Sequence, residues 1–187
     1  TKIVLYQGAL AAGRGLEALV SAAPLLWQSG YSLVLMGYGP LEEELAQQAK
    51  GGKFYLHPAV GTSVLLGYTA SADIGLCLIE DACLSYRLSL PNKLFEYAMA
   101  RIPVVASAMP EIQHLVESYK IGICIRHWDD ESILKAIKAA DQMRGDELDR
   151  RLAEVTREYC WESQEERMSA AYKKYIGVPR SGPSLAD

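Results

Sequence analysis

The chain has 187 residues, 50% of them hydrophobic and 22% charged, with a formal net charge of −4. That length carries one sizeable globular domain, and the composition excludes disorder on a large scale. Scattered lysines and arginines under a net negative charge speak against a nucleic acid partner, and no apolar run approaches the ~20 residues of a transmembrane segment.

The chain opens directly on a strand, Ile3 to Tyr6, so an upstream partner domain is expected. Strand and helix patterns then alternate. Helices are predicted over Gly15 to Gln28 and Leu41 to Lys50, and strands over Ser32 to Met36 and Lys53 to Leu56. A short helix covers Ser63 to Ser71, followed by the strand Asp73 to Ile79 and a loop from Glu80 to Leu90. Next come the helix Pro91 to Arg101, the strand Ile102 to Ala106, the helix Glu111 to Ser118 and the strand Ile121 to Ile125. Asp129 caps a further helix, in which Ile133, Ile137 and Ala140 recur at helical spacing. Six short strands separated by helices predict an α/β protein, a doubly wound, Rossmann-like parallel sheet with helices on both faces.

Beyond Gly145 the pattern changes to two charged helices, Asp146 to Tyr159 and Glu162 to Ile176, with no strand after them. The expected organisation is therefore a Rossmann-like domain over residues 1–143 and C-terminal helices over 144–176. Those helices pack on the domain or toward a missing N-terminal domain. Residues 177–187, rich in Gly, Pro and Ser, read as a disordered tail. Cys77, Cys83, Cys124 and Cys160 form no C-x-x-C pair and are expected as reduced core residues without zinc.

Three loops fall at the same sheet edge. In QGALAAGRGLEAL, Gly8, Gly13 and Gly15 permit close backbone approach, and Arg14 stands at the positive end of the following helix. The spacing resembles a Walker A loop, but Gly15 occupies the place of the magnesium-holding hydroxyl and arginine replaces lysine, which disfavours a P-loop reading. In MGYGPLEEEL, Gly37 and Gly39 flank Tyr38 before a helix started by Pro40, a turn that lets a planar ligand or ribose approach, or lets Tyr38 cover the sheet edge. In SLPNKLFEYAMARIPVVAS, Pro91 suits the first helical position with Ser89 as a cap. Lys93, Glu96 and Tyr97 share one helical face, and Leu94, Phe95, Ala98 and Met99 are left for packing.

Lys93 and Glu96 read either as a solvated pair or as a phosphate-binding cation with a hydroxyl-binding carboxylate. Together with Arg14, the helix start at the carboxyl end of a strand favours a nucleotide site. His57, alone after the third strand, reads as a structural residue. His114 and His127 are assigned no chemistry.

The order of these motifs resembles the C-terminal, donor-binding domain of GT-B glycosyltransferases of the family-4-like group, the glycosyl transferases group 1. The likeness runs from Ile3 to about Ile176 and is carried mainly by LPNKLFEYAMARIPVVAS. It implies a retaining, metal-independent hexosyltransferase, inactive as an isolated fragment, which transfers a sugar from a nucleoside-diphosphate sugar to a glycan or lipid-linked acceptor. No other cofactor is implied. The resemblance gives Arg14 and Lys93 the catalytic role of stabilising the diphosphate. Donor binding then falls to Gly13, Gly37, Tyr38, Gly39, Pro91, Asn92 and Glu96, with Glu96 on the ribose hydroxyls. It further implies a missing N-terminal acceptor domain, a part in polysaccharide assembly and a cytoplasmic location, the inner face of the membrane being open to a full-length form. The alternatives are a non-catalytic nucleotide-binding or interaction module of the same fold and a nucleotide-sugar epimerase. Two positions depart from the family pattern. Leu88 stands where a sugar-holding carboxylate is expected, a role open to Glu80 or Asp81, and Arg101 replaces a glycine, which predicts a different helix end.

Overall fold

The computed structural model describes residues 1–175, so Ile176 and the expected tail at 177–187 lie outside the described residues. Strands β1 (Lys2–Ala9), β2 (Tyr31–Tyr38), β3 (Tyr55–Pro58), β4 (Ile74–Cys77), β5 (Val104–Ser107) and β6 (Gly122–Ile125) form one sheet. Every pairing is parallel and the order is β3-β2-β1-β4-β5-β6, the doubly wound arrangement expected from the alternating pattern. Helices α1 (Leu16–Gln28), α2 (Glu42–Ala49), α3 (Thr62–Ala70), α4 (Leu84–Arg87), α5 (Asn92–Met99), α6 (Pro110–Tyr119) and α7 (Asp130–Gln142) alternate with the strands. The two closing helices are α8 (Asp146–Tyr159) and α9 (Trp161–Tyr175).

Strands covered by helices on both sides have no polar face, so they read as continuous apolar runs. In β1, Val4 and Tyr6 enter the core beneath α1 and α7, while Leu5 enters the opposite core beneath α5 and α6. Helix α7 begins as expected: the Asp129 carboxylate accepts the Ser132 backbone N–H at 3.0 Å. A third, smaller core joins Leu148, Leu152 and Val155 of α8 to Ala98 of α5. Helix α9 buries none of its residues, and Trp161, Met168, Tyr172 and Tyr175 are exposed.

Several local expectations are corrected. The segment expected as a loop from Glu80 to Leu90 contains the single helical turn α4. Strand β3 starts at Tyr55 rather than Lys53, because the turn Gly51-Gly52 delays pairing with β2. Met99 is exposed rather than packed, and Cys83 is exposed rather than in the core. Pro91 sits one position before α5 with extended backbone, and the Ser89 hydroxyl donates to the Tyr86 carbonyl instead of capping the helix.

Arg101 was expected to signal a different helix end; the end is instead the one a glycine favours. Its φ is 62°, and the Ile102 and Arg101 N–H groups return to the Tyr97 and Ala98 carbonyls, closing a Schellman motif. Arginine is held in this left-handed conformation with its guanidinium donating to the Asp149 carbonyl at 2.8 Å.

The feature that positions the site is the gap between β1 and β4. Their pairing ends at Tyr6 and Leu76, whereas β1 stays paired with β2 as far as Ala9. Tyr97 of α5, fully buried, fills the root of that gap. Its hydroxyl lies 3.2 Å from the Leu5 carbonyl and 3.0 Å from the Leu76 carbonyl, and accepts the Gln7 N–H at 3.3 Å. Strand β4 passes the ring at Gly75, where a Cβ would stand 2.4 Å from the Tyr97 side chain.

Candidate functional site

Where a doubly wound sheet reverses its strand order, the loops at the carboxyl ends of the strands diverge and leave a crevice. In this chain the reversal lies between β1 and β4, and a cleft of about 610 Å³ opens there. Its walls come from the end of β1, the turn after β2, the β3–α3 connection and the first turns of α5.

Lys93 is the buried cation of this cleft, 9% exposed. Its ammonium lies 3.8 Å from the centre of the Tyr6 ring, an attraction to the negative face of the aromatic system. A Cβ on Gly8 would come within 3.4 Å of the same Nζ, so the end of β1 abuts the charge directly. Among the described residues no carboxylate forms a salt bridge with Lys93. Burial pushes the Lys93 ammonium down to about 8; Cys77 and Glu96 pull it upward, and the Arg14 charge pushes it further down. The solvated Lys93–Glu96 pair is therefore not what forms.

Arg14 reaches the cleft from the loop before α1. Its guanidinium stacks 4.8 Å from the centre of the Tyr86 ring and has no carboxylate partner among the described residues. At the start of α5 the N–H groups of Asn92 and Lys93 meet no backbone acceptor. Two cations and the positive end of a helix thus face one space, and neither cation is salt-bridged to a carboxylate among the described residues. Pro91 and Asn92 line that space as well, Asn92 being exposed.

Glu96 lines the cleft one turn beyond Lys93. One of its carboxylate oxygens accepts a hydrogen bond from the Gln7 side-chain amide at 2.5 Å. Gln7 is 3% exposed, and its carbonyl oxygen accepts from the hydroxyl of the fully buried Thr69 at 2.8 Å. Sequence reasoning missed Gln7 and Thr69. The signal for Gln7 was present, a polar amide ending an apolar strand; Thr69, on a helix 62 positions away, carried none.

The glycine turn after β2 lines the cleft, and its glycines also answer a need of the chain itself. A Cβ at Gly37 would stand 1.8 Å from the Gly8 carbonyl oxygen, and one at Gly39 would stand 2.5 Å from that of Leu10. Both are required by close approach of the chain to itself. Tyr38 is 72% exposed at the rim and covers no part of the sheet edge. Gly13, next to Arg14, does not itself line the cleft: it is buried, its carbonyl accepts the Glu80 N–H at 3.1 Å, and an added Cβ would strike the Tyr86 ring at 2.9 Å.

Of the candidate substitutes for a carboxylate at Leu88, Asp81 is committed to an exposed pair with Arg87 at 2.6 Å, and Glu80 is exposed. Leu88 itself is 53% exposed. His57 is structural as expected, with Nδ1 2.7 Å from the Pro58 carbonyl and its ring against Tyr68. No group of three or more His, Cys, Asp or Glu side chains with metal-binding proximity occurs among the described residues.

Sheet order and crevice define the class: a Rossmann-like α/β domain with a cleft at the switch point. The particular family is shown by the sequence profile described as glycosyl transferases group 1, which matches residues 1–141. The chain belongs to that family, as its motifs implied. No curated protein matches it in sequence.

Among solved structures it resembles HepE of Anabaena in complex with UDP-glucose, with a TM-score of 0.74 and 15% identity over 92% of this chain and 48% of that one. It is also similar to the pneumococcal O-GlcNAc transferase GtfA in complex with UDP and GlcNAc, with a TM-score of 0.70 and 14% identity over 94% of this chain and 36% of that one. A third similar structure is WaaG, a glycosyltransferase involved in lipopolysaccharide biosynthesis, with a TM-score of 0.63 and 15% identity over 95% of this chain and 48% of that one. At such identities the likeness concerns the fold. The chain spans half or less of each of these three proteins. No helix among the described residues is long and apolar enough to cross a membrane.

Proposed function

We propose that this chain is the donor-binding half of a retaining, metal-independent glycosyltransferase that takes a sugar from a nucleoside-diphosphate sugar to a glycan or lipid-linked acceptor. The observation that carries the proposal is the pair of cations, Lys93 and Arg14, facing the cleft without a carboxylate partner beside the free N–H groups of α5. A diphosphate supplies the missing anion. Glu96, one turn along the same helix, reaches the ribose hydroxyls, and the apolar wall of Val60 and Leu65 accepts the base. The complexes of HepE with UDP-glucose and of GtfA with UDP support this class of ligand.

Chemically, the bond from the anomeric carbon to the β-phosphate oxygen lengthens, and negative charge collects on the departing diphosphate. Lys93, Arg14 and the α5 N–H groups are already oriented toward that charge, so little reorganisation accompanies its development. The acceptor site and the rest of the catalytic apparatus fall to a further domain, in keeping with this chain's spanning half or less of WaaG, GtfA and HepE, and residues 1–187 alone are expected to be inactive in transfer.

Calorimetric titration of the 187-residue chain with UDP, GDP and ADP tests the site. Binding of at least one, lost in Lys93→Ala, is expected. Absence of binding to all three would reject the assignment. A non-catalytic nucleotide-binding module is favoured by one observation, the exposed Leu88 with Asp81 already paired to Arg87. Transfer by a longer natural chain carrying an upstream domain decides against it.

A further inference from the structure

The buried hydrogen bonds behind Glu96 specify more than the carboxylate's position. We infer that Gln7, oriented by Thr69, is a positioning residue that aims Glu96 at a vicinal diol and thereby makes the cleft selective for ribonucleotides; this rests on the donor-nucleotide reading above.

A glutamine amide can be turned either way, and here the neighbours decide. Thr69 has one hydroxyl proton and two acceptors within reach, the Gln7 oxygen at 2.8 Å and the Leu65 carbonyl at 2.9 Å. If the amide were reversed, its oxygen would face the Glu96 carboxylate, two acceptors opposed without a proton between them. With the nitrogen toward Glu96, the amide donates to the carboxylate and accepts from Thr69, and all three groups are satisfied. The Glu96 carboxylate therefore sets the amide, and Thr69 holds it there. Because Gln7 is 3% and Thr69 0% exposed, water cannot take over the bond between them.

The consequence lies at the carboxylate. One oxygen of Glu96 accepts from Gln7, which lines the same cleft, so the carboxylate cannot rotate freely. The acceptor capacity left over has fixed directions. Two adjacent hydroxyls match such a fixed carboxylate; a sugar lacking them leaves that capacity unmatched beside the nucleotide, which is costly. Thr69 belongs to α3, whose Leu65 also lines the cleft, so the wall of the base pocket and the aim of Glu96 are joined through one side chain.

The test compares, by calorimetry on the full chain, whichever of UDP, GDP and ADP binds best with its 2′,3′-dideoxy form, and uses inorganic pyrophosphate as a control. Wild type is expected to prefer the ribose form by roughly tenfold or more, the scale of one charge-assisted hydrogen bond. In Gln7→Leu and Thr69→Val that preference falls to within about twofold, while pyrophosphate binding stays. Thr69→Ser, which keeps the hydroxyl, retains the preference, so the threonine pair decides the matter even where Gln7→Leu does not fold. A residue that merely supported the fold would weaken all three ligands together. Unchanged preference in Thr69→Val overturns the inference and leaves the nucleotide reading standing. Failure of wild type to bind any of the three nucleotides overturns both.

Discussion

The two ends of the cleft are built differently. At the Glu96 end the polar groups are paired and all but the half-buried Glu96 are buried: Thr69 to Gln7, Gln7 to Glu96, and Tyr97 to both β1 and β4. At the Arg14 end the guanidinium rests on Tyr86, and the segment beyond it exposes Cys83, Leu84 and Leu88. Buried, satisfied networks resist rearrangement, whereas exposed apolar side chains gain when another surface covers them. One end is thus preorganised within this chain, and the other is shaped for completion by something outside it. In the proposed function these are the nucleotide end and the sugar end.

The largest effect expected from breaking this contrast is at its midpoint. Lys93→Ala should lower nucleoside diphosphate affinity by ~100-fold, because a charge-assisted contact in a desolvated setting disappears. The melting temperature of the empty chain should not fall, since an unpartnered buried charge goes with it.

Removing the charge by pH is the milder form of the same change. From pH 7 to pH 9 the affinity should drop about tenfold as Lys93 deprotonates through about 8. The empty chain carries the opposite contribution from this lysine. Between pH 8 and about 10 the unfolded chain holds a Lys93 proton that the folded chain has released, which raises stability with pH, while the buried thiols Cys77, pushed up to about 11, and Cys124, pushed up to about 12, lower it over the same range. Denaturant titrations of wild type and Lys93→Met across that window isolate the lysine: the difference in stability should move in favour of wild type as pH rises, and the reverse trend would contradict a buried, unpaired Lys93.

Arg14→Ala, on the more open side, should cost ~10-fold in affinity, less than Lys93 because water screens a half-exposed guanidinium. Leu88→Ala should leave nucleotide affinity within about twofold, as expected for an exposed side chain away from the paired network. A large loss there would erase the distinction between the two ends. Smallest of all, Arg101→Gly should stabilise the chain by ~0.5 kcal/mol, relief of the left-handed backbone being partly offset by loss of the bond to Asp149. Thermal unfolding resolves that difference.

The parts legible in the sequence share a cause. Strands buried on both faces and helices with one apolar stripe leave periodic marks, so the alternating order and the six parallel strands could be read directly. Lys93 and Glu96 were legible because helical spacing places them on one face. What escaped depends on distant pairs. Nothing near Thr69 announces Gln7, and nothing near Gly37 announces the Gly8 carbonyl that forbids a side chain there. The glycines after β2 were legible as cleft residues but not as room the chain itself needs, because the sequence does not show which backbone atoms approach them. Arg101 misled in the reverse direction: the residue departs from the family pattern while the backbone keeps to it.

Tyr97 has a role beyond filling the root of the gap. Its ring lies flush against Gly75, its hydroxyl touches both parted strands, and Lys93 and Glu96 project from the same short helix. The ring acts as a spacer whose thickness sets how far the helix stands off the sheet, so the phosphate and ribose contacts of the proposed donor site would be calibrated by one part. Adding a methyl group at Gly75 would shift both contacts by a common displacement, detuning the grip on both halves of a nucleotide without touching either.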